Sequence, residues 1–173
     1  MAIDQRSGKA VNGVQNETAR RAANSGKETT FVDALQDVRA ALRYARKHHA
    51  RRSLIAWGSS YSAALVLVVS AQHPDLVDAT LSFAPGEYFA RFGKSKTWVR
   101  DAATKIQKPV FITSAEHEGD NWAAIFAAIP DGVRKRSYLP TTKGQHGSRA
   151  LWKQFADSEG YWTAVQAFLA AVR

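Results

Sequence analysis

The stretch Leu54-Ile55-Ala56-Trp57-Gly58-Ser59-Ser60-Tyr61-Ser62-Ala63-Ala64-Leu65 reads as a buried strand, a cramped turn carrying two serines, and the first turn of an apolar helix. That arrangement lifts a serine hydroxyl to the carboxyl end of a parallel sheet. So tight a turn accepts only small residues two before and two after the raised serine. Ser60 has Gly58 and Ser62 in those places, whereas Ser59 would have Trp57 and Tyr61. Ser60 is therefore the candidate nucleophile. A plain strand-to-helix turn with a serine cap leaves a similar trace, so the stretch needs partners elsewhere in the chain.

Outward from this turn, strands and helices alternate. Residues 61–72 are apolar nearly all round, which predicts a buried helix, and His73-Pro74 stops it. Strands are predicted at 52–57, 76–83, 109–113 and 136–139. Helices are predicted at 98–106, at 121–128 with Asp120 as its cap, briefly at 148–155, and at 160–172. Tyr161, Val165, Phe168 and Leu169 form the inner stripe of the last. Upstream, Thr30 and Asp33 form a short acidic capping box for a helix to residue 48, with Phe31, Leu35, Val38, Leu42 and Ala45 on one face. Residues 7–27 read as a long polar loop with a turn of helix at 17–23, and residues 1–6 as the end of a strand. The alternation predicts an α/β fold, a mostly parallel sheet flanked by helices. One domain is expected over residues 1–173, with residues 1–29 loose or displaced from it.

Composition narrows the chemistry. The chain has 173 residues, 45% of them hydrophobic, enough for a full core. It has no cysteine, which removes thiolate chemistry and disulfides. Residues 1–6 have no apolar segment of signal-peptide length, and no apolar run is long enough to span a bilayer, so a cytoplasmic location is the default expectation. The net charge is +9, from 24 basic and 15 acidic residues. The densest basic run, residues 43–52, includes Arg43, Arg46, Lys47, His48, His49, Arg51 and Arg52. Cations of this kind suit a solvated helix end better than a base-stacking surface, which argues against nucleic acid as a partner.

A serine hydroxyl needs a histidine to take its proton and a carboxylate to orient that histidine. In an open parallel sheet these groups come from loops beyond the strand ends. His48, His49 and His73 lie at helix ends and His117 follows the 109–113 strand. His146 follows the last strand, between glycines, in Gly144-Gln145-His146-Gly147-Ser148. Three carboxylates, Glu116, Glu118 and Asp120, compete in the turn after the preceding strand. The order serine, acid, histidine is that of one hydrolase group.

These residues resemble the α/β-hydrolase superfamily in its compact, dienelactone hydrolase-like form. Asp4-Gln5-Arg6-Ser7-Gly8 resembles the segment after that family's fourth strand, and Gly58 to Ser62 its nucleophile turn. Residues 109–118 resemble its acid strand, with Glu118 at the acid position, and Gly144 to Gly147 its histidine loop. The resemblance implies a serine hydrolase acting on a carboxylic ester or related acyl compound, with Ser60, Glu118 and His146 catalytic. It implies no metal or organic cofactor. The backbone N–H of Tyr61 would serve the oxyanion hole, and Tyr88, Phe89 and Trp122 would line an acyl pocket, as Tyr61 would; Trp57 is expected in the core. The match starts at what would be the fourth strand. The family's first three strands and the second oxyanion donor have no counterpart, and an exposed sheet edge that favours self-association is expected. Two other readings stay open: a hydrolase-like fragment with impaired catalysis, and a non-enzymatic basic binding module on residues 43–52.

Overall fold

The computed structural model describes residues 1–49 and 52–172; Arg51 of the basic run lies outside them. The sheet has four strands in the order of the chain: β1 (Ile55–Ser59), β2 (Ala79–Phe83), β3 (Val110–Thr113) and β4 (Lys135–Tyr138). Every pairing is parallel, with Ile55 opposite Ala79, Thr80 opposite Val110 and Val110 opposite Lys135. β2 and β3 are buried along their whole length, while of the two edge strands β1 alternates and β4 has no fully buried residue. Parallel strands with both faces covered need no polar face; of the two small polar residues buried in Ala79-Thr80-Leu81-Ser82-Phe83, Ser82 donates its Oγ hydrogen to the Ala63 carbonyl, while the Thr80 hydroxyl has no partner among the described residues.

Helix α1 (Glu17–Asn24) is capped by the Asn16 side chain, which accepts the Ala19 N–H at 2.8 Å. The sequence pattern placed this turn at 17–23. Helix α2 (Ala34–His48) follows the Thr30–Asp33 box, whose bonds form: Thr30 N–H donates to Asp33 and Asp33 N–H to Thr30 Oγ1. The helix proper begins one turn later than predicted. Helix α3 (Tyr61–Gln72) buries nine successive residues, Ala63 to Ala71, because it packs on the sheet, α2 and α4 at once. Helices α4 (Trp98–Ala103) and α5 (Gly119–Ala128) complete that face. Asp120 lies within the first turn of α5 and does not cap it, since the preceding turn runs straight into the helix at Gly119. Helix α6 (Ser158–Ala171) covers the other face, with Tyr161, Val165 and Phe168 inward against Leu81, Phe83 and Phe111, joined by Ala150 and Leu151 of the 3₁₀ segment Gly147–Leu151.

Residues 1–6 form no strand. Their side chains, not their amides in a ladder, tie them to the helices. Arg6 makes a bidentate pair with Asp37 of α2, with contacts at 2.7 and 3.0 Å, and Gln5 Nε2 donates to Ser62 Oγ at 2.8 Å. β1 is therefore the edge of the sheet. No helix among the described residues is long and apolar enough to cross a membrane.

Candidate active site

Ser60 joins β1 to α3 with φ +59° and ψ −130°, a backbone conformation costly for any residue with a Cβ. Two packing facts hold it there. A Cβ on Gly58 would overlap the Ser62 carbonyl and lie 2.7 Å from Ala63 Cα, so strand and helix can approach this closely only with glycine at 58. Ser60 N–H donates to the Phe83 carbonyl at 2.8 Å, which continues the β1–β2 ladder through the turn. The Tyr61 N–H opens α3, where first-turn amides lack intrahelical acceptors and the helix dipole favours negative charge.

β3 ends at Thr113, and the chain turns through a 3₁₀ segment, Glu116–Glu118. That turn exposes Glu116 and buries Glu118, while Asp120 is exposed. One carboxylate oxygen of Glu118 accepts the Ala115 N–H at 3.1 Å. The other meets His146 Nδ1 at 2.5 Å. The turn thus separates the three competing acids by direction, and Glu118 is the one that reaches the histidine. This bond fixes Nδ1 as the side facing the acid and leaves Nε2 free.

The loop after β4 carries His146 between Gly144 (φ +67°) and Gly147 (φ +64°). Gly147 sits against the serine turn: a Cβ there would overlap Ser59 Oγ and lie 3.7 Å from the Ser60 nitrogen. Ser148 N–H donates to Ser59 Oγ at 2.9 Å, and Trp57 Nε1 donates to Ser148 Oγ at 3.0 Å. The histidine loop is thereby pinned to the end of β1 beside Ser60. No hydrogen bond joins the Ser60 hydroxyl to His146 among the described residues. Such contacts are often long in a free enzyme and tighten with substrate.

The aromatic expectations divide. Phe89 is fully buried and packs edge-on to Trp98. Trp122 is 5% exposed, and its Nε1 donates to Ser114 Oγ at 2.8 Å. Both belong to the core under α3–α5, not to an open pocket, because the helices close over them. Tyr88 is half-buried; its hydroxyl donates to the Ala84 carbonyl, and burial together with the Glu118 charge pushes its phenol up to about 12. Tyr161 donates to the Ser114 carbonyl and is likewise pushed up to about 12, chiefly by burial. The Tyr61 ring stacks on Phe31 at 4.1 Å, and its hydroxyl accepts from Ser7. Trp57, expected in the core, is 43% exposed, because no element covers the sheet edge beside Phe83, on which it stacks.

Ser59 is the residue sequence reasoning missed. Its flanks disqualify it as a raised serine, but as the last residue of β1 it is placed to accept from a neighbouring loop. Tyr44 lies within the basic run, half-exposed against His48 and His49, a single ring with no second platform beside it.

The sequence matches no protein-family model and no curated protein. Solved structures are similar in fold. An esterase from Pyrococcus furiosus superposes with a TM-score of 0.64 at 17% identity, over 84% of this chain and 65% of that one. A dienelactone hydrolase from Anabaena variabilis gives 0.65 at 12% identity, over 91% and 68%. The esterase domain of a Rhodothermus marinus protein gives 0.55 at 17%, over 78% and 67%. The chain has an α/β-hydrolase fold. The chain spans about two thirds of the length of these structures. Ser60, Glu118 and His146 follow three strand ends on one rim of the α/β-hydrolase sheet.

Proposed function

We propose that this protein is a serine hydrolase of carboxylic esters or related acyl compounds, using Ser60, His146 and Glu118. The observation that carries the reading is the pinned loop: the Nδ1 of His146 is held by buried Glu118, and Gly147 lies against the strained turn of Ser60. In the reaction Ser60 Oγ attacks the acyl carbon while His146 Nε2 takes its proton. The carbonyl oxygen becomes an oxyanion, stabilised by the Tyr61 N–H at the start of α3. His146 then returns the proton to the leaving alcohol, and the acyl group stays on Ser60 until water, deprotonated by His146, releases it as the acid. Glu118 keeps the imidazolium oriented. The names of the similar esterases support this substrate class.

A fluorophosphonate probe tests it. Labelling of the folded chain that disappears in Ser60→Ala and His146→Ala is expected. Folded protein that takes no label, or a Ser60→Ala variant that labels like the parent, refutes the assignment.

A further inference from the structure

One cavity lies away from Ser60, at the open edge of the sheet. It is a groove of about 530 Å³ along the open side of β1, running from Ser53 to Trp57. Its floor is the inner face of α2, Val38, Ala41, Leu42 and Ala45, with Val66 of α3. Met1, Ile3 and Gln5 pass along the far wall, and Met1 and Ile3 stay exposed without pairing to β1. The backbone adds a second feature. Ser60 N–H points to β2, so strand alternation turns the peptide groups of Ala56 and Gly58 the same way and those of Ile55 and Trp57 into the groove. An apolar trough beside outward amides and carbonyls is the form of site that accepts an added strand.

Charge selects the occupant. The ionisable side chains that line the groove are His49 and Arg52, and no carboxylate lines it. Arg46, next to them, is paired with Asp78 at 2.9 Å, whereas among the described residues no carboxylate pairs with Arg52. A second copy of the chain, at +9, would set the same basic rim against this one. We infer that the β1 edge binds an extended polypeptide strand with alternating apolar residues and acidic flanks. Its main chain would bond Ile55 and Trp57, its apolar side chains would fill the trough over α2, and its carboxylates would meet Arg52 and His49. This inference stands apart from the serine chemistry.

The test uses a fluorescein-labelled peptide, Glu-Asp-Val-Thr-Val-Thr-Val-Thr-Glu-Asp, and a counterpart with lysine in place of each acid. The acidic peptide should bind at least tenfold more tightly, in a salt-dependent manner, and slow amide hydrogen exchange at Ile55 and Trp57. Ala41→Glu, on the groove floor, should abolish binding with unchanged circular dichroism, and Arg52→Glu should reverse the charge preference. Equal binding of both peptides, or unchanged exchange at Ile55 and Trp57, overturns the inference. So does sedimentation showing that the chain alone dimerises and protects those amides.

Discussion

Replacing Ser60 by glycine should make the protein more stable while removing the proposed nucleophile. Ser60 sits at φ +59°, ψ −130°, where a Cβ crowds the backbone. Residues held in such regions store roughly 1–3 kcal/mol. Glycine adopts the same angles freely, but its flexible unfolded state returns about 0.5–1 kcal/mol of that gain. The net expected for Ser60→Gly from the middle of these ranges is a stabilisation of about 1 kcal/mol, and at most about 2.5 kcal/mol. With a urea slope of about 2 kcal/mol/M, the unfolding midpoint should rise by about 0.5 M. Ser60→Ala is the control: it keeps the Cβ and its strain, and loses a hydroxyl that makes no hydrogen bond among the described residues. Its stability should stay within about 0.5 kcal/mol of the parent. Both variants should be silent to the fluorophosphonate probe. If Ser60→Ala proves as stable as Ser60→Gly, the turn is not strained, and the argument that packing holds the serine in a costly conformation fails.

Two further outcomes follow from the same geometry. Gly58→Ala places a methyl against the backbone of Ser62 and Ala63, which cannot rotate aside. Overpacking of this kind should cost about 1–3 kcal/mol, and a shift of the turn near 1 Å should lower turnover about 10²-fold; Gly132→Ala, in open space, should change neither. The phenols of Tyr88 and Tyr161 are held neutral to about pH 12 when folded but ionise near 10 when unfolded. The unfolded chain therefore loses its protons first, and stability should be intact below about pH 10 and fall as pH rises from 10 to 12. Absorbance of tyrosinate at 295 nm should show two of the five tyrosines titrating late, with the loss of near-ultraviolet circular dichroism.

Much of this fold was legible because its signals are local. The run from Ala63 to Ala71, apolar except for Ser70, is long for a strand and reads as a buried helix, and α3 spans the residues predicted for it. Positive-φ glycines flank His146 where the sequence has Gly-x-His-Gly. What local pattern does not carry is direction and company. Glu116, Glu118 and Asp120 differ only in which way a 3₁₀ turn points them. Phe89 and Trp122 look like pocket aromatics because nothing in their neighbours' identities shows that α3, α4 and α5 close over them. Residues 1–6 have the look of a strand end, but a strand requires a partner in register. Arg6 and Gln5 instead find Asp37 and Ser62, far away in sequence. Ser59 was set aside for the same reason: its partner, the Ser148 amide, belongs to a loop whose path no local rule predicts.

The sheet is built in the order in which the chain is written, and this bears on how it forms during synthesis. Each strand pairs with the one made just before it, Ile55 with Ala79, Thr80 with Val110, Val110 with Lys135, so no early segment waits for a distant late one. Loop-closure entropy rises slowly with such separations, and the sheet can grow one crossover at a time as the chain leaves the ribosome. Ser60 and its strained turn are then in place once β2 has emerged. His146 follows only after β4, so under the proposed mechanism the nascent chain carries Ser60 in its folded turn without the base that would activate it until β4 has been made.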